Sequence, residues 1–328
     1  MKCFEQTTLT YYTQTDKSCP TLSTFSRNLN LAYLNGQLDP CYHRDMEIIQ
    51  IQKILLRKRK ANVLLTGVAG CGKTALVEAT AAKITQRKLD YESFCNQEKK
   101  KFKALQRARS RSRDADAEDM EDFLPPPKPL LCGCVIYDLS LTALVGGTKY
   151  RGEFEERIQK IIVECTAHPE VILFVDEAHL LTSAGRSDSS ESAAQMLKPA
   201  LARNDIRMIG ATTWEEREYI AKDKALWRRF CEIPVSPLAE KSAEIAAVHI
   251  LEDYCSFHKI VTDASAAELY RAVQQRLPRS VFPDNLINVI DETLASAVFD
   301  NRPAVGMAQF QQVLNRLAAG ENPAKKFE

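Results

Sequence analysis

The chain lacks an excess of either charge. Its 44 Lys and Arg against 43 Asp and Glu leave a net charge of +1, so no global field points to nucleic acid or an anionic membrane as partner. It lacks any apolar run near bilayer-spanning length. Its opening residues, Met1-Lys-Cys-Phe-Glu-Gln, hold no apolar core of a secretory signal. Its ten cysteines lack framework spacing, and Cys134, Cys165 and Cys231 fall inside expected strands or helices. That fits reduced thiols in a cytoplasmic compartment better than disulfides. Cys132-x-Cys134 has no second pair to complete a zinc site and reads as strand packing. No internal repeat is visible. What remains is ordinary: 328 residues, 45% hydrophobic and 27% charged, enough for one large domain or two smaller ones with a real core.

One stretch organises the rest. Gly67-Val68-Ala69-Gly70-Cys71-Gly72-Lys73-Thr74-Ala75 fits G-x-x-x-x-G-K-[ST]. The apolar run Val63-Leu64-Leu65 precedes it as a buried strand, and a helical pattern from Ala75 follows it. Glycines let the backbone turn its N–H groups inward, where they and the positive end of the helix hold phosphate oxygens. Lys73 adds a mobile cation for the outer phosphates, and the Thr74 hydroxyl is a ligand for Mg²⁺.

About a hundred residues on, Val171-Ile-Leu-Phe-Val175 ends in Asp176-Glu177. Two adjacent acids at the end of a buried strand sit where ligands bind in open α/β sheets. Asp176 fits a Mg²⁺-holding role and Glu177 the polarisation of an attacking water. Gly210-Ala-Thr-Thr213 ends the next strand; Thr213 can touch the γ-phosphate or the water, or cap a helix starting at Trp214. Arg228-Arg229 reads as a cation pair for phosphate, given to a neighbouring subunit, or as a solvated pair.

Residues 1 to about 23 are polar, Thr-rich and without period, and read as a loose arm. A short helix is expected from Phe25 to Leu34 and another from Met46 to Leu56. Residues from about 88 to 129 carry a basic run, Lys99 to Arg113, then an acidic run, Asp114 to Asp122, then Pro125-Pro126-Pro127. Such a composition buries no face and reads as a solvated insertion, partly helical and partly disordered. Strands are expected at 134–138, 171–175, 207–211 and 231–235, with helices at 153–165, 193–202 and from Trp214. Alternation of this kind argues for a mostly parallel sheet covered on both faces. From Ala239 strands stop and four helices follow, near 241–255, 263–276, 284–298 and 307–318.

With these residues placed, the chain resembles the Clp-type AAA+ unfoldases, in particular the first ATPase ring of the ClpA/ClpB/ClpC group. Gly147-Thr-Lys149-Tyr150-Arg151-Gly-Glu-Phe-Glu-Glu-Arg157 is the most specific piece. Leu197 to Arg203, Gly210 to Thr213, Ala225 to Phe230, and Leu38-Asp39-Pro40 with Arg44-Asp45 fit the same family. The resemblance implies a parallel αβα sandwich followed by a small all-helical lid, ATP with Mg²⁺ at the interfaces of a six-membered ring, and threading of polypeptide. It assigns Thr213 to sensor 1, Arg228 and Arg229 to fingers acting in trans, and Tyr150, flanked by Lys149 and Arg151, to gripping the polypeptide. Residues 183–192 are similar to a second pore loop. The implied division is an arm and short helix over 1–37, the nucleotide domain over 38–237, the lid over 238–320 and a tail over 321–328.

Departures are specific. The family's glycine before Arg44 is His43, its Pro-Asp-Lys reads Pro283-Asp284-Asn285, and its Asn before Met196 is Gln195. An adaptor domain, a coiled-coil middle domain, a second ring and a protease-docking loop are not expected. Rival functions are a nucleic-acid remodeller or helicase loader acting through residues 99–113, and a nucleotide-gated assembly subunit without unfoldase activity.

Overall fold

The computed structural model describes residues 3–109, 124–146, 151–182 and 193–320. In chain order the first part contains α1 (Cys3–Ser18), α2 (Pro20–Phe25), β1 (Ser26–Asn28), α3 (Leu29–Leu34), α4 (Asp45–Leu55), β2 (Asn62–Thr66), α5 (Lys73–Arg109), β3 (Val135–Leu139), α6 (Leu141–Val145), α7 (Arg151–Ala167) and β4 (Val171–Val175). A 3-10 turn (Ala178–Thr182), α8 (Ala193–Arg203), β5 (Arg207–Thr212), α9 (Arg217–Lys222), α10 (Lys224–Trp227) and β6 (Phe230–Pro234) follow. The last part contains α11 (Glu240–His258), β7 (Val261–Thr262), α12 (Ala266–Arg276), α13 (Asp284–Phe299), β8 (Ala304–Val305) and α14 (Met307–Ala318).

The chain divides into two compact units. One comprises Met1–Pro40, Met46–Leu65 and Thr74–Ile233; the other comprises Cys41–Asp45, Thr66–Lys73 and Pro234–Glu328. The first is the α/β unit. Its six-stranded sheet has the order β1-β3-β4-β5-β2-β6. β3, β4 and β5 run parallel, with Val135 beside Val171 and Ile172 beside Arg207. All five residues of β4 and of β2 are buried, as continuous apolar strands covered by helices on both faces must be. Phe154, Ile158 and Ile161 of α7 and Leu197 and Leu201 of α8 close over Tyr137, Val175 and Met208 of the sheet.

The residues expected as a loose arm are instead helical. α1 buries Thr8, Tyr12 and Thr15, and Cys19 continues the same face. This helix has no conventional apolar stripe, because threonines occupy it. Thr10, Thr13 and Thr15 satisfy their hydroxyls on the carbonyls of Gln6, Leu9 and Tyr11. Tyr11 Oη donates to Gly133 O at 2.8 Å, and Asp16 Oδ1 accepts from Tyr137 Oη at 2.7 Å. The expected helix at Phe25–Leu34 is split. Ser26–Asn28 forms an antiparallel edge strand on β3, with Arg27 opposite Asp138. Asn28 then caps α3, its Oδ1 accepting from the N–H groups of Asn30 and Leu31.

The charged segment also differs in part from its expectation. The helix after the glycine loop runs unbroken through 37 residues to Arg109, about 55 Å at 1.5 Å per residue. Its middle is anchored. Thr8 Oγ1 donates to Glu92 Oε2 at 2.6 Å, Lys88 pairs with Glu92 at 2.7 Å, and Lys88 Nζ lies 4.0 Å over the Tyr11 ring. Residues 110–123, with the whole acidic run and the end of the basic one, lie outside the described residues.

The second unit is mostly helical. Leu269 and Val273 of α12, Leu286, Val289, Ile290 and Leu294 of α13, and Phe310 and Leu314 of α14 form its core. The strands do not stop at Ala239: Val261–Thr262 and Ala304–Val305 pair in parallel, Val261 beside Ala304. At two residues each, these strands are too short to show a period of two in the sequence.

Candidate functional site

The loop Thr66–Lys73 belongs to the second unit and Thr74 to the first. Two of its glycines adopt left-handed backbone, with φ of +76° at Gly70 and +87° at Gly72, which side chains resist. At Gly67 a Cβ would lie 2.5 Å from Val235 O, so the backbone passes where only glycine fits. Val235 N–H in turn donates to Thr66 O at 2.7 Å. Lys73 folds back over its own loop: Nζ donates to Gly67 O at 3.0 Å and Val68 O at 2.9 Å. A cation held by neutral carbonyls is ready to exchange them for an anion. Cys71 is buried. Burial pushes its thiol pKa up, against the opposing pull of Lys73 and Arg44.

Two family departures sit in this unit. His43 keeps a left-handed φ of +56°, so a non-glycine residue holds the conformation a glycine adopts freely. The buried Arg44 beside it sends Nη2 towards Cys71 O at 3.4 Å. Asp284 lies beside Gly70, where an added Cβ would come within 3.0 Å of Asp284 Cβ. Asn285 is buried, with Nδ2 donating to Ser280 O at 3.2 Å, so it points into the core of its own unit.

In the α/β unit, Thr74 Oγ1 donates to Asp176 Oδ2 at 2.6 Å. That single contact ties the first turn of α5 to the end of β4. The other oxygen, Asp176 Oδ1, accepts from Glu177 N–H at 2.9 Å. Glu177 is exposed and has a φ of +50°, unusual for a residue with a side chain and of the kind stored at functional sites. A hydroxyl and a carboxylate together form a hard oxygen donor set, which suits Mg²⁺.

Gly210 in β5 allows the chain after β4 to pass close: a Cβ there would meet Ala178 Cβ at 2.9 Å and Leu64 Cδ1 at 3.2 Å. The next helix has Glu216 as its N-cap, and Thr213 closes the turn ahead of it. Its Oγ1 donates to Glu216 Oε2 at 2.8 Å and accepts from Glu216 N–H at 3.2 Å. The helix it introduces starts at Arg217 rather than Trp214. His179 joins this knot, with Nδ1 3.2 Å from Glu216 Oε2 and 3.3 Å from Thr212 Oγ1. Sequence reasoning missed His179 and Glu216.

Arg228 is exposed and Arg229 half-buried, and neither guanidinium is paired among the described residues. The backbone of Arg229 is fixed from beneath by the buried Asn62, whose Nδ2 donates to Arg229 O at 3.1 Å while Oδ1 accepts from Met208 N–H at 2.9 Å. Lys149 and Tyr150 lie outside the described residues, as do 183–192; Arg151 opens α7 with its side chain not described. Arg157 holds the C-terminal end of α6, Nη1 donating to Leu144 O at 2.8 Å and Gly146 O at 3.0 Å.

Sequence reasoning also missed a charged group behind Thr74 and Asp176. Glu78 lies one turn along α5 from Thr74, and Arg27 Nη1 stands 3.6 Å from Glu78 Oε1. Asp138 is the last residue but one of β3, beside Phe174, while Asp176 directly follows β4. Burial pushes the Asp138 carboxyl pKa up, the negative charge of Asp176 adds to this, and Arg27 opposes it. An acid near the end of a second apolar strand was the available signal.

Comparison with known proteins gives a consistent result. The family model described as "ATPase family associated with various cellular activities (AAA)" matches residues 63–237. A ClpA homolog of Guillardia theta, named as an ATP-dependent Clp protease ATP-binding subunit, is 37% identical over 85% of this chain and 30% of its own length. The chaperone protein ClpB of Bdellovibrio bacteriovorus is 34% identical over 86% of this chain and 29% of its own length. The chain therefore spans under a third of these relatives. Among solved structures, a chain of the S. cerevisiae Hsp104:casein complex in an extended conformation superposes with a TM-score of 0.68 at 27% identity, covering 94% of this chain and 47% of that one.

Proposed function

Because the chain belongs to the AAA family of ATPases, we propose that it binds ATP with Mg²⁺ and hydrolyses it to remodel polypeptide, as a Clp-type unfoldase module assembled in a ring. The observation that carries this reading is the 2.6 Å hydrogen bond from Thr74 to Asp176, the pair that would hold Mg²⁺ between them. When bound, the metal supplies charge neutralisation across the phosphate oxygens.

The roles divide by chemistry. Backbone N–H groups from Gly67 to Ala75 cradle the phosphates, and Lys73 leaves the carbonyls of Gly67 and Val68 for the outer phosphates. Glu177, whose carboxylate is exposed beside Asp176, accepts the proton of the attacking water. Thr213 exchanges Glu216 for the γ-phosphate or that water. Arg228 and Arg229, unpaired among the described residues, serve the nucleotide of a neighbouring copy. Tyr150 grips polypeptide of any sequence through its apolar ring, at modest cost in rotamer entropy. Six copies per ring, with free thiols kept in a reducing cytoplasm, complete the proposal.

The test is Glu177→Gln. Nucleotide affinity stays near that of the wild type while turnover falls by about two orders of magnitude or more. Hydrolysis within about twofold of the wild type would remove Glu177 from the mechanism.

A further inference from the structure

Arg27 sits on an edge strand that adds nothing to the phosphate loop, yet it lies against Glu78 of the helix that carries Thr74. Across the β1–β3 ladder it is opposite Asp138. Its Nη1 stands 3.6 Å from Glu78, and its Nη2 donates to Gln37 O at 2.9 Å. Glu78 is four residues beyond Thr74, on the same helix face. Asp138 is the fourth residue of β3, beside Phe174 of the strand that delivers Asp176. Glu78 and Asp138 are both partly withdrawn from water, and Arg27 opposes the effect of burial on each; Glu78 also feels Asp39 and Asp138, and Asp138 feels Asp176. Arg27 is thus the counter-charge of Glu78 and Asp138, and Asp138 in turn feels the charge of Asp176.

We propose that Arg27 is a positioning residue for the Mg²⁺–nucleotide: the fixed counter-charge of Glu78 and Asp138 that lets a triphosphate approach the acids around Asp176. The inference rests on the reading of Thr74 and Asp176 as Mg²⁺ ligands. The physical argument concerns sign. A nucleoside triphosphate carries several negative charges into a region with three carboxylates. Mg²⁺ relieves that repulsion when present, and Arg27 relieves part of it whether or not the metal is there. Removing Arg27 therefore weakens metal-free nucleotide binding more than metal-bound binding. Damage to the fold would weaken both alike.

The experiment measures affinity rather than turnover. Binding of a fluorescent, non-hydrolysable ATP analogue is followed by anisotropy in saturating Mg²⁺ and in EDTA, and the ratio of the two Kd values is taken. Arg27 is about half exposed, so solvent screening limits the effect. Arg27→Gln raises the ratio about three- to tenfold and leaves the melting temperature near that of the wild type. Arg27→Lys, which keeps the charge, returns the ratio to within about twofold of wild type. Arg27→Gln combined with Asp138→Asn returns it too, because the repulsion is removed with the acid. An unchanged ratio in Arg27→Gln overturns the proposal, including the case where both Kd values rise together. So does a double variant that stays at the raised ratio. A wild-type ratio near one refutes the Mg²⁺ reading itself, and is distinguished by appearing before any substitution.

Discussion

Asn62→Ala tests whether the sheet beneath the arginine pair is built as described. The Asn62 side chain is fully buried and fills two roles at once: Oδ1 accepts from Met208 N–H at 2.9 Å and Nδ2 donates to Arg229 O at 3.1 Å. Alanine leaves the Met208 donor unpaired in the core and frees the Arg229 carbonyl in a partly buried place. An unsatisfied buried polar group costs about 1–3 kcal/mol. Counting Met208 in full and Arg229 at a discount, the loss is about 2–4 kcal/mol. For a unit of roughly 200 residues, each kcal/mol moves Tm by about 2–4 °C, so the expected drop is about 4–16 °C. Both tryptophans, Trp214 and Trp227, lie in this unit, so intrinsic fluorescence follows its melting without interference from the helical unit. Asn62→Asp keeps the acceptor for Met208 N–H but buries a charge and sets an oxygen against the Arg229 carbonyl, and melts no higher than Asn62→Ala. A melting temperature for Asn62→Ala within about 1 °C of wild type would refute the reasoning.

Other outcomes follow from the same geometry. Gly72→Ala forces a side chain to φ of +87°, costing about 1–2 kcal/mol of strain; a titration with labelled nucleotide should show weaker binding, with the fold intact by circular dichroism. Gly210→Val crowds Ala178 and Leu64, which already lie within 2.9 and 3.2 Å of an added Cβ; denaturant unfolding should show about 1–3 kcal/mol lost. Arg229→Ala should lower turnover only at concentrations where the protein assembles, and a dilute sample as active as a concentrated one would remove the role in trans.

The parts of the fold that could be read from the sequence share a property: each carries its signal within a few neighbours. Val171 to Val175 is a continuous apolar run closed by two acids, and Gly67 to Thr74 is a motif between a strand and a helix. Asp176, Glu177, Lys73 and Thr74 were therefore accessible as a set, and the Clp-type resemblance with its αβα sheet and helical part holds. What escaped depends on contacts distant in sequence. α1 hides because Thr8, Tyr12 and Thr15 bury a hydroxyl-bearing face. β1 hides because its three residues are a strand only by virtue of pairing with Leu139, Asp138 and Tyr137. Arg27, Glu78 and Asp138 lie on three elements spread over more than a hundred residues, and no local pattern unites them.

The central claim is that nucleotide is cleaved by assembled copies and that cleavage answers to polypeptide. Its most direct test is steady-state ATP turnover in Mg²⁺, measured across protein concentration with and without a permanently unfolded model protein, for the wild type and Tyr150→Ala. The account predicts turnover per chain that rises with concentration, and a stimulation by unfolded protein that Tyr150→Ala loses while basal turnover persists. Absence of turnover at every concentration, or equal stimulation in the two proteins, would contradict it.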